Sequence, residues 1–244
     1  MKNLFKLLPF YKRYRRKIYN MYEGNLEQLV SNEIKKIPKF SKILDAGCGE
    51  QKYKKFCQHL NYKSQDFQKY KTDLKPSIDT NLKSRDYKYP SIDYVSNIWE
   101  IKEKNNFFDV ILCTEVFEHI PYPQKTLKEF NRFLRKDGLL ILSAPASSIR
   151  HFDPYYFYSG FSDRWFEYFL KKYQFEIKCI KPIGDYYEYM SLEIARTAWN
   201  NNFISKILLL PTFFYFLNKK KSKESISTQC HGYYIVCYKN NNYE

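Results

Sequence analysis

Short apolar runs alternate with stretches of helical spacing through most of the chain. Lys42–Ala46 (KILDA) has the continuous apolar character of a buried strand and stops at Gly47, and residues 50–60 carry helical spacing directly after it. Residues 62–67 read as a second strand ending near an acidic residue, and residues 94–98 as a weakly marked third. The run FDVILC at 108–113 predicts a buried fourth strand. A helix over 123–136 follows, with Leu127, Phe130, Phe133 and Leu134 on one face, and Asp137-Gly138 then turns the chain into a fifth strand, LLILS, at 139–143. Helices between buried β-rich runs imply right-handed crossovers and a parallel sheet covered on both faces.

Beyond Pro145 the character changes. A loop rich in aromatics, HFDPYYFYSGF at 151–161, precedes a helix over 162–173, and Phe175–Ile183 and residues 232–238 predict two more strands. The pattern describes one α/β domain over residues 31–244 with an insert at about 185–228, behind a basic extension over 1–30. The insert holds FISKILLLPTFFYFL (Phe203–Leu217) and then Lys219, Lys220, Lys221 and Lys223. Pro211 argues against one straight helix there. Apolar residues flanked by lysines suit a lid, half of a dimer interface, or peripheral contact with an anionic membrane surface. The stretch from Lys2 to Lys17, with Leu4, Phe5, Leu7 and Leu8, adds a second basic surface.

Composition narrows the classes. Hydrophobic residues make up 44% of the 244 and aromatics 19%, which excludes a disordered chain. The formal net charge of +15 permits nucleic acid, anionic lipid or phosphorylated partners. Lysine dominates that charge alongside abundant Asn, Ile, Tyr and Phe, a pattern that genome base composition alone can produce, so it carries little weight. The six cysteines form no Cys-x-x-Cys pair, as expected in a reducing compartment. The N-terminus makes a poor signal peptide, and no run reaches the roughly 18–20 uncharged apolar residues of a membrane span. The expected location is the cytoplasm, with peripheral attachment at the inner face of the membrane as a further expectation.

Only 7 glycines occur, yet two fall within three residues, in Asp45-Ala46-Gly47-Cys48-Gly49. At a strand end, paired glycines let the backbone turn tightly and approach a ligand. Asp66, 21 positions beyond Asp45, stands at the end of the next predicted strand, where a carboxylate accepts from both hydroxyls of a ribose. A dinucleotide fingerprint asks for Gly or Ala at position 52, which is Lys52, and Asp45 repels a pyrophosphate but suits a cationic amino acid group.

These residues resemble the class I S-adenosylmethionine-dependent methyltransferases. ILDAGCGE (43–50) is similar to that family's first motif, residues 97–120 align with the stretch from the adenine contact through the fourth strand, and residues 127–145 resemble the helix, turn and fifth strand that follow. Within that family the chain resembles the ubiquinone and menaquinone biosynthesis methyltransferases, as in bacterial surface-glycan loci. The resemblance implies a Rossmann-like seven-stranded sheet of order 3-2-1-4-5-7-6 with the last strand antiparallel and helices on both faces. It places Asp45, Gly47, Cys48, Gly49, Asp66, Asn97, Ile98 and Thr114 around S-adenosylmethionine, with Asn97 where the family usually has Asp.

Methyl transfer is an in-line displacement, so a protein supplies alignment and a base for a protonated nucleophile. His119, with Glu118 beside it, and His151 at the start of the aromatic loop are the candidates; bracing and surface roles are the plainer readings of each. A divalent metal is the lesser expectation; if one binds, Glu115, Glu118 and His119, at i, i+3 and i+4, would hold it on a helical turn. Cys113-Thr114-Glu115 stands where amino-methylating DNA enzymes carry Pro-Pro-aromatic, and no Pro-Cys nucleophile is present. An oxygen nucleophile on a small-molecule, glycan or lipid-linked acceptor is the expected target. RNA, favoured by the charge, and a catalytically inactive membrane-associated binding subunit are the alternatives.

Overall fold

The computed structural model describes residue 17 and residues 20–70 and 88–240. Of the basic stretch that starts at Lys2, only Lys17 is among them. In chain order the elements are α1 (Asn25–Ile34), β1 (Lys42–Ala46), β2 (Asn61–Asp66), β3 (Tyr94–Val95), β4 (Phe108–Thr114), α2 (Pro123–Phe133) and β5 (Leu134–Pro145). They continue with α3 (Asp163–Lys172), β6 (Phe175–Ile183), α4 (Tyr186–Asn200), α5 (Phe203–Leu217), α6 (Lys223–Thr228) and β7 (Gly232–Lys239).

The seven strands form one sheet in the order β3-β2-β1-β4-β5-β7-β6. β1 runs parallel to β2 and β4, β4 parallel to β5, and β7 antiparallel to β5. This is the expected Rossmann-like arrangement. The order reverses between β1 and β4, so the carboxyl ends of β1, β2 and β4 open on one edge, where ligands of such sheets bind. Ile43, Leu44, Ile111, Leu112, Leu140 and Ile141 have no exposed surface, as strands covered on both faces require.

Two compact units divide the chain. One comprises Ser31–Lys181 with the strand from Gly232 onward; the other comprises Pro182–His231 with the segment up to Val30. In the second, Asp185 caps α4 by accepting from the Glu188 amide at 2.9 Å and takes the Ser225 hydroxyl at 2.6 Å, tying α6 to the start of α4.

Local structure departs from the sequence pattern at four places. Residues 50–60 form no α-helix, only turns and one 3-10 turn over Lys54–Phe56. Gln51 sits at φ 57 and breaks helical continuity, although Tyr53, Cys57 and Leu60 are still buried at helical spacing. β3 is two residues long. α2 ends at Phe133, and β5 begins at once rather than at 139: Phe108 pairs with Leu134 but Val110 with Leu139, so Asp137-Gly138 makes a bulge within the strand instead of a turn before it. α5 runs helically through Pro211.

Candidate active site

Two turns meet at the sheet edge. The first leaves β1 through Gly47 and Gly49, at φ 70 and φ 50, in the left-handed region where a side chain is strained. Space decides the residue at Gly47 as well: a Cβ there would lie 2.5 Å from Cγ2 of Val116, in the turn that leaves β4. Its amide donates to the Gln65 backbone carbonyl at 2.9 Å and to Gln65 Oε1 at 3.0 Å. The Gly49 amide donates to Asp66 Oδ2 at 3.0 Å, and the Gln68 amide to Asp66 Oδ1 at 2.9 Å. Asp66 thus holds the turn while itself fixed at the end of β2.

Asp45 is 3% exposed and accepts one hydrogen bond, from the Tyr62 hydroxyl at 2.7 Å. Burial pushes its carboxyl up to about 7; Tyr62 opposes the rise and the Asp66 charge adds to it. Burial raises Asp66 too. Neither carboxylate has an ion-pair partner among the described residues. A cationic group brought to this edge therefore supplies the charge that the fold lacks. Cys48 is buried beside them, its thiol held protonated by burial and by the two carboxylates.

Ile98 is buried at 4%, and the Asn97 amide nitrogen donates to Glu100 at 3.0 Å, which leaves the amide carbonyl as an acceptor. Thr114 ends β4, half-buried and paired with Ser143 of β5.

The second turn carries the histidine. Glu115 at φ 54 redirects the chain into a short 3-10 turn over Phe117–His119. His119 Nδ1 lies 2.7 Å from the Tyr155 carbonyl and His151 Nδ1 lies 2.8 Å from the Ile149 carbonyl. A carbonyl only accepts, so both rings donate through Nδ1. The rings meet edge to face with centroids 4.7 Å apart. His119 Nε2 stands 3.6 Å from Glu118 Oε1, while Glu118 Oε2, on a residue 1% exposed, has no hydrogen-bond partner. Burial first, then His151, pushes His119 down to about 3, and burial together with Glu115 pushes Glu118 well up, so burial favours the uncharged form of each.

One ligand atom from each of Glu118, His119 and His151 lies within 4.8 Å of the other two. The Glu115 carboxylate instead accepts from the Ser143 hydroxyl at 2.8 Å. Three residues on one helical turn would face a common point; a 3-10 turn entered through a left-handed residue turns Glu115 elsewhere, and His151 takes the third place.

The aromatic loop brings His151 there. The Phe157 and Tyr158 amides donate to the Glu118 carbonyl at 2.8 and 3.2 Å, and the Phe161 amide to Pro145 at 2.9 Å. Gly160, at φ 154, passes so close to Ala146 that a Cβ would fall 2.2 Å from its carbonyl oxygen. Phe152 packs on Tyr70, and Tyr155 edge-on to Phe67, just beyond β2. The sequence reading missed Tyr62, Gln65, Tyr155 and Phe152. Tyr62 shares the alternation of Ser64 and Asp66 along β2, which is the one signal that marks it.

A model of the methyltransferase domain matches residues 11–203. An uncharacterised protein of Methanocaldococcus jannaschii (MJ0638) is 35% identical over 100 residues, which span 41% of this chain and 39% of that protein. The fold is similar to that of the YcgJ protein from Bacillus subtilis, at 14% identity and TM-score 0.51, covering 90% of this chain and 100% of the other. It is also similar to 1,6-didemethyltoxoflavin-N1-methyltransferase from Burkholderia thailandensis, solved with 1,6-didemethyltoxoflavin and S-adenosylhomocysteine, at 13% identity and TM-score 0.52, covering 91% and 78%. The family match spans most of the chain, and the sheet has the strand order of the class I S-adenosylmethionine-dependent fold: the chain belongs to the methyltransferase-domain family.

Proposed function

We propose that this protein methylates an oxygen nucleophile on a small-molecule, glycan or lipid-linked acceptor, with S-adenosylmethionine as donor. One observation carries the donor assignment: two buried carboxylates without a cation, Asp45 and Asp66, flank a turn whose Gly47 leaves no room for a Cβ. Such a cradle fits a ligand with a cationic amino acid end and a ribose. Asp45 would hold the ammonium and Asp66 the ribose hydroxyls. Gly47, Cys48 and Gly49 would give backbone contact, Asn97 and Ile98 would border the adenine, and Thr114 would line the approach from β4. When bound, S-adenosylmethionine supplies a methyl carbon made electrophilic by its sulfonium.

The residues of the second turn manage the acceptor's proton. Nε2 of His119 or His151 takes it as the bond from the oxygen to the methyl carbon forms, when the hydroxyl proton is acid enough even for a base held as low as His119. Protonating one ring raises the cost of protonating the other at this separation, so the pair works as an acceptor of a single proton. Burial favours the protonated form of Glu118, which spares the incoming acceptor a buried negative charge.

Heat of binding for S-adenosylmethionine and S-adenosylhomocysteine, absent in Asp66→Ala, is the expected calorimetric result; no heat for either, with a nicotinamide dinucleotide binding instead, overturns the donor assignment. Radiolabelled donor incubated with fractionated lysate reports the acceptor, and label in RNA rather than in glycan, lipid or small molecules replaces the oxygen-acceptor reading with an RNA methyltransferase.

A second reading has its own observation. Glu118, His119 and His151 each bring one ligand atom within 4.8 Å of the other two, a donor set that suits a divalent cation. Activity that survives exhaustive chelation removes it.

A further inference from the structure

Helix α5 presents two unlike faces. Phe213 is 6% exposed, and Phe216 packs against Tyr186 and Tyr187 of α4. The opposite face carries Ile204, Ile207, Leu208, Pro211 and Tyr215, spaced 3, 1, 3 and 4 residues apart. At 3.6 residues per turn they fall within an arc of about 100°. All five are exposed, with Ile204 at 67%, Leu208 at 69% and Tyr215 at 58%. A continuous apolar stripe along about three turns is far more than scattered surface apolar residues, and it marks something that covers it.

Charge names the occupant. From 201 to 223 the sequence has five lysines and no Asp or Glu. The Lys219 ammonium lies 4.5 Å from the centroid of the Tyr215 ring, so the cationic end begins where the stripe ends. A second copy of the chain would bring the same positive charge against it. A nucleic acid would match the lysines but leave the stripe uncovered. An anionic lipid bilayer satisfies both at once, with apolar side chains at the acyl boundary and ammonium groups among the phosphates.

Depth follows from the same helix. Fifteen residues rise about 22 Å, short of a hydrocarbon core of roughly 30 Å, and no helix of the described residues is long and apolar enough to cross a membrane. Pro211 has no amide hydrogen, so the Ile207 carbonyl one turn earlier lacks its helical donor, on the stripe itself. A carbonyl in that state requires water, which the headgroup region provides and the acyl core does not. We infer that α5 docks this protein flat on the surface of an anionic membrane, with Ile204, Ile207, Leu208, Pro211 and Tyr215 facing the lipid. The inference is independent of the methyl-transfer reading.

Vesicle co-sedimentation of the full chain tests it. With phosphatidylglycerol and phosphatidylcholine in equal parts the protein sediments, and with phosphatidylcholine alone it stays in the supernatant. The exposed double substitution Ile207→Glu with Leu208→Glu lowers the partition coefficient by at least about tenfold while the melting temperature holds. Lys219→Glu with Lys220→Glu weakens binding and flattens its dependence on salt. Equal binding to both vesicle types, no binding to either, or undiminished binding of the double glutamate variant overturns the inference. Sedimentation velocity showing a vesicle-free dimer that the same substitutions dissolve overturns it in favour of a self-interface.

Discussion

The two turns that meet at Gly47 and Val116 are built on different principles. The turn after β1 is made from neighbours in sequence: Asp45, Gly47, Cys48 and Gly49 fall within five residues, and backbone geometry does most of the work. The turn after β4 holds Glu118 and His119, but its third member, His151, comes 32 positions later on a loop held by backbone hydrogen bonds. A site made of backbone is rigid because φ and ψ leave few alternatives. One made of side chains is only as well placed as the loop that delivers them.

The largest expected effect belongs to the first turn. Gly47→Ala strains a left-handed residue and drives a methyl into Val116, so donor binding should vanish in calorimetry and urea unfolding should show a loss of roughly 2–4 kcal/mol. Adding Val116→Ala removes the clash but not the strain, and partial recovery of stability measures each. Next comes the second turn. His119→Ala and His151→Ala should each lower turnover by about 10²-fold with donor affinity unchanged, and together by less than the product. Unchanged turnover in both would reduce that turn to a structural brace.

A smaller effect lies in pH. The folded carboxyl of Asp45 titrates near 7, above its ordinary 3.8. Its contribution to stability is therefore greatest below about 4 and falls as pH rises through 7. A cationic ligand binds the ionised form, so donor affinity should rise about tenfold between pH 6 and pH 8, and Asp45→Asn should flatten that slope. The smallest effect is at Glu118. Glutamine imitates a neutral carboxylic acid, so Glu118→Gln should unfold within about 1 kcal/mol of the parent and keep turnover within a few-fold. Loss of a manganese-induced melting shift in that variant, where the parent shows one, would sharpen the comparison toward the metal reading.

The first turn was legible because its signals are local. A buried strand that breaks at scarce glycines, followed by a carboxylate at the end of the next strand, states a geometry without any distant partner. The helix expected over 50–60 failed for the converse reason: the buried spacing of Tyr53, Cys57 and Leu60 is the same whether the backbone coils as an α-helix or as turns, and Gln51 in the left-handed region settles which. Glu115 was misplaced because spacing assumes a helical turn, and one residue at φ 54 changes where the side chain goes. The bulge at Asp137-Gly138 hid in the same way, since a turn signal does not say whether the strand resumes in the same sheet.

By itself the sequence determined the strands, the parallel part of their sheet, the glycine turn with its two carboxylates, and the apolar run of α5. These depend on short-range sterics and on the burial of periodic apolar residues, which act on neighbours along the chain. Tertiary structure alone decided that His151 rather than Glu115 stands with Glu118 and His119, that Tyr62 reaches Asp45, and which face of α5 stays uncovered. Each of those depends on where two distant segments come to rest, and close packing fixes that only once the whole unit has folded.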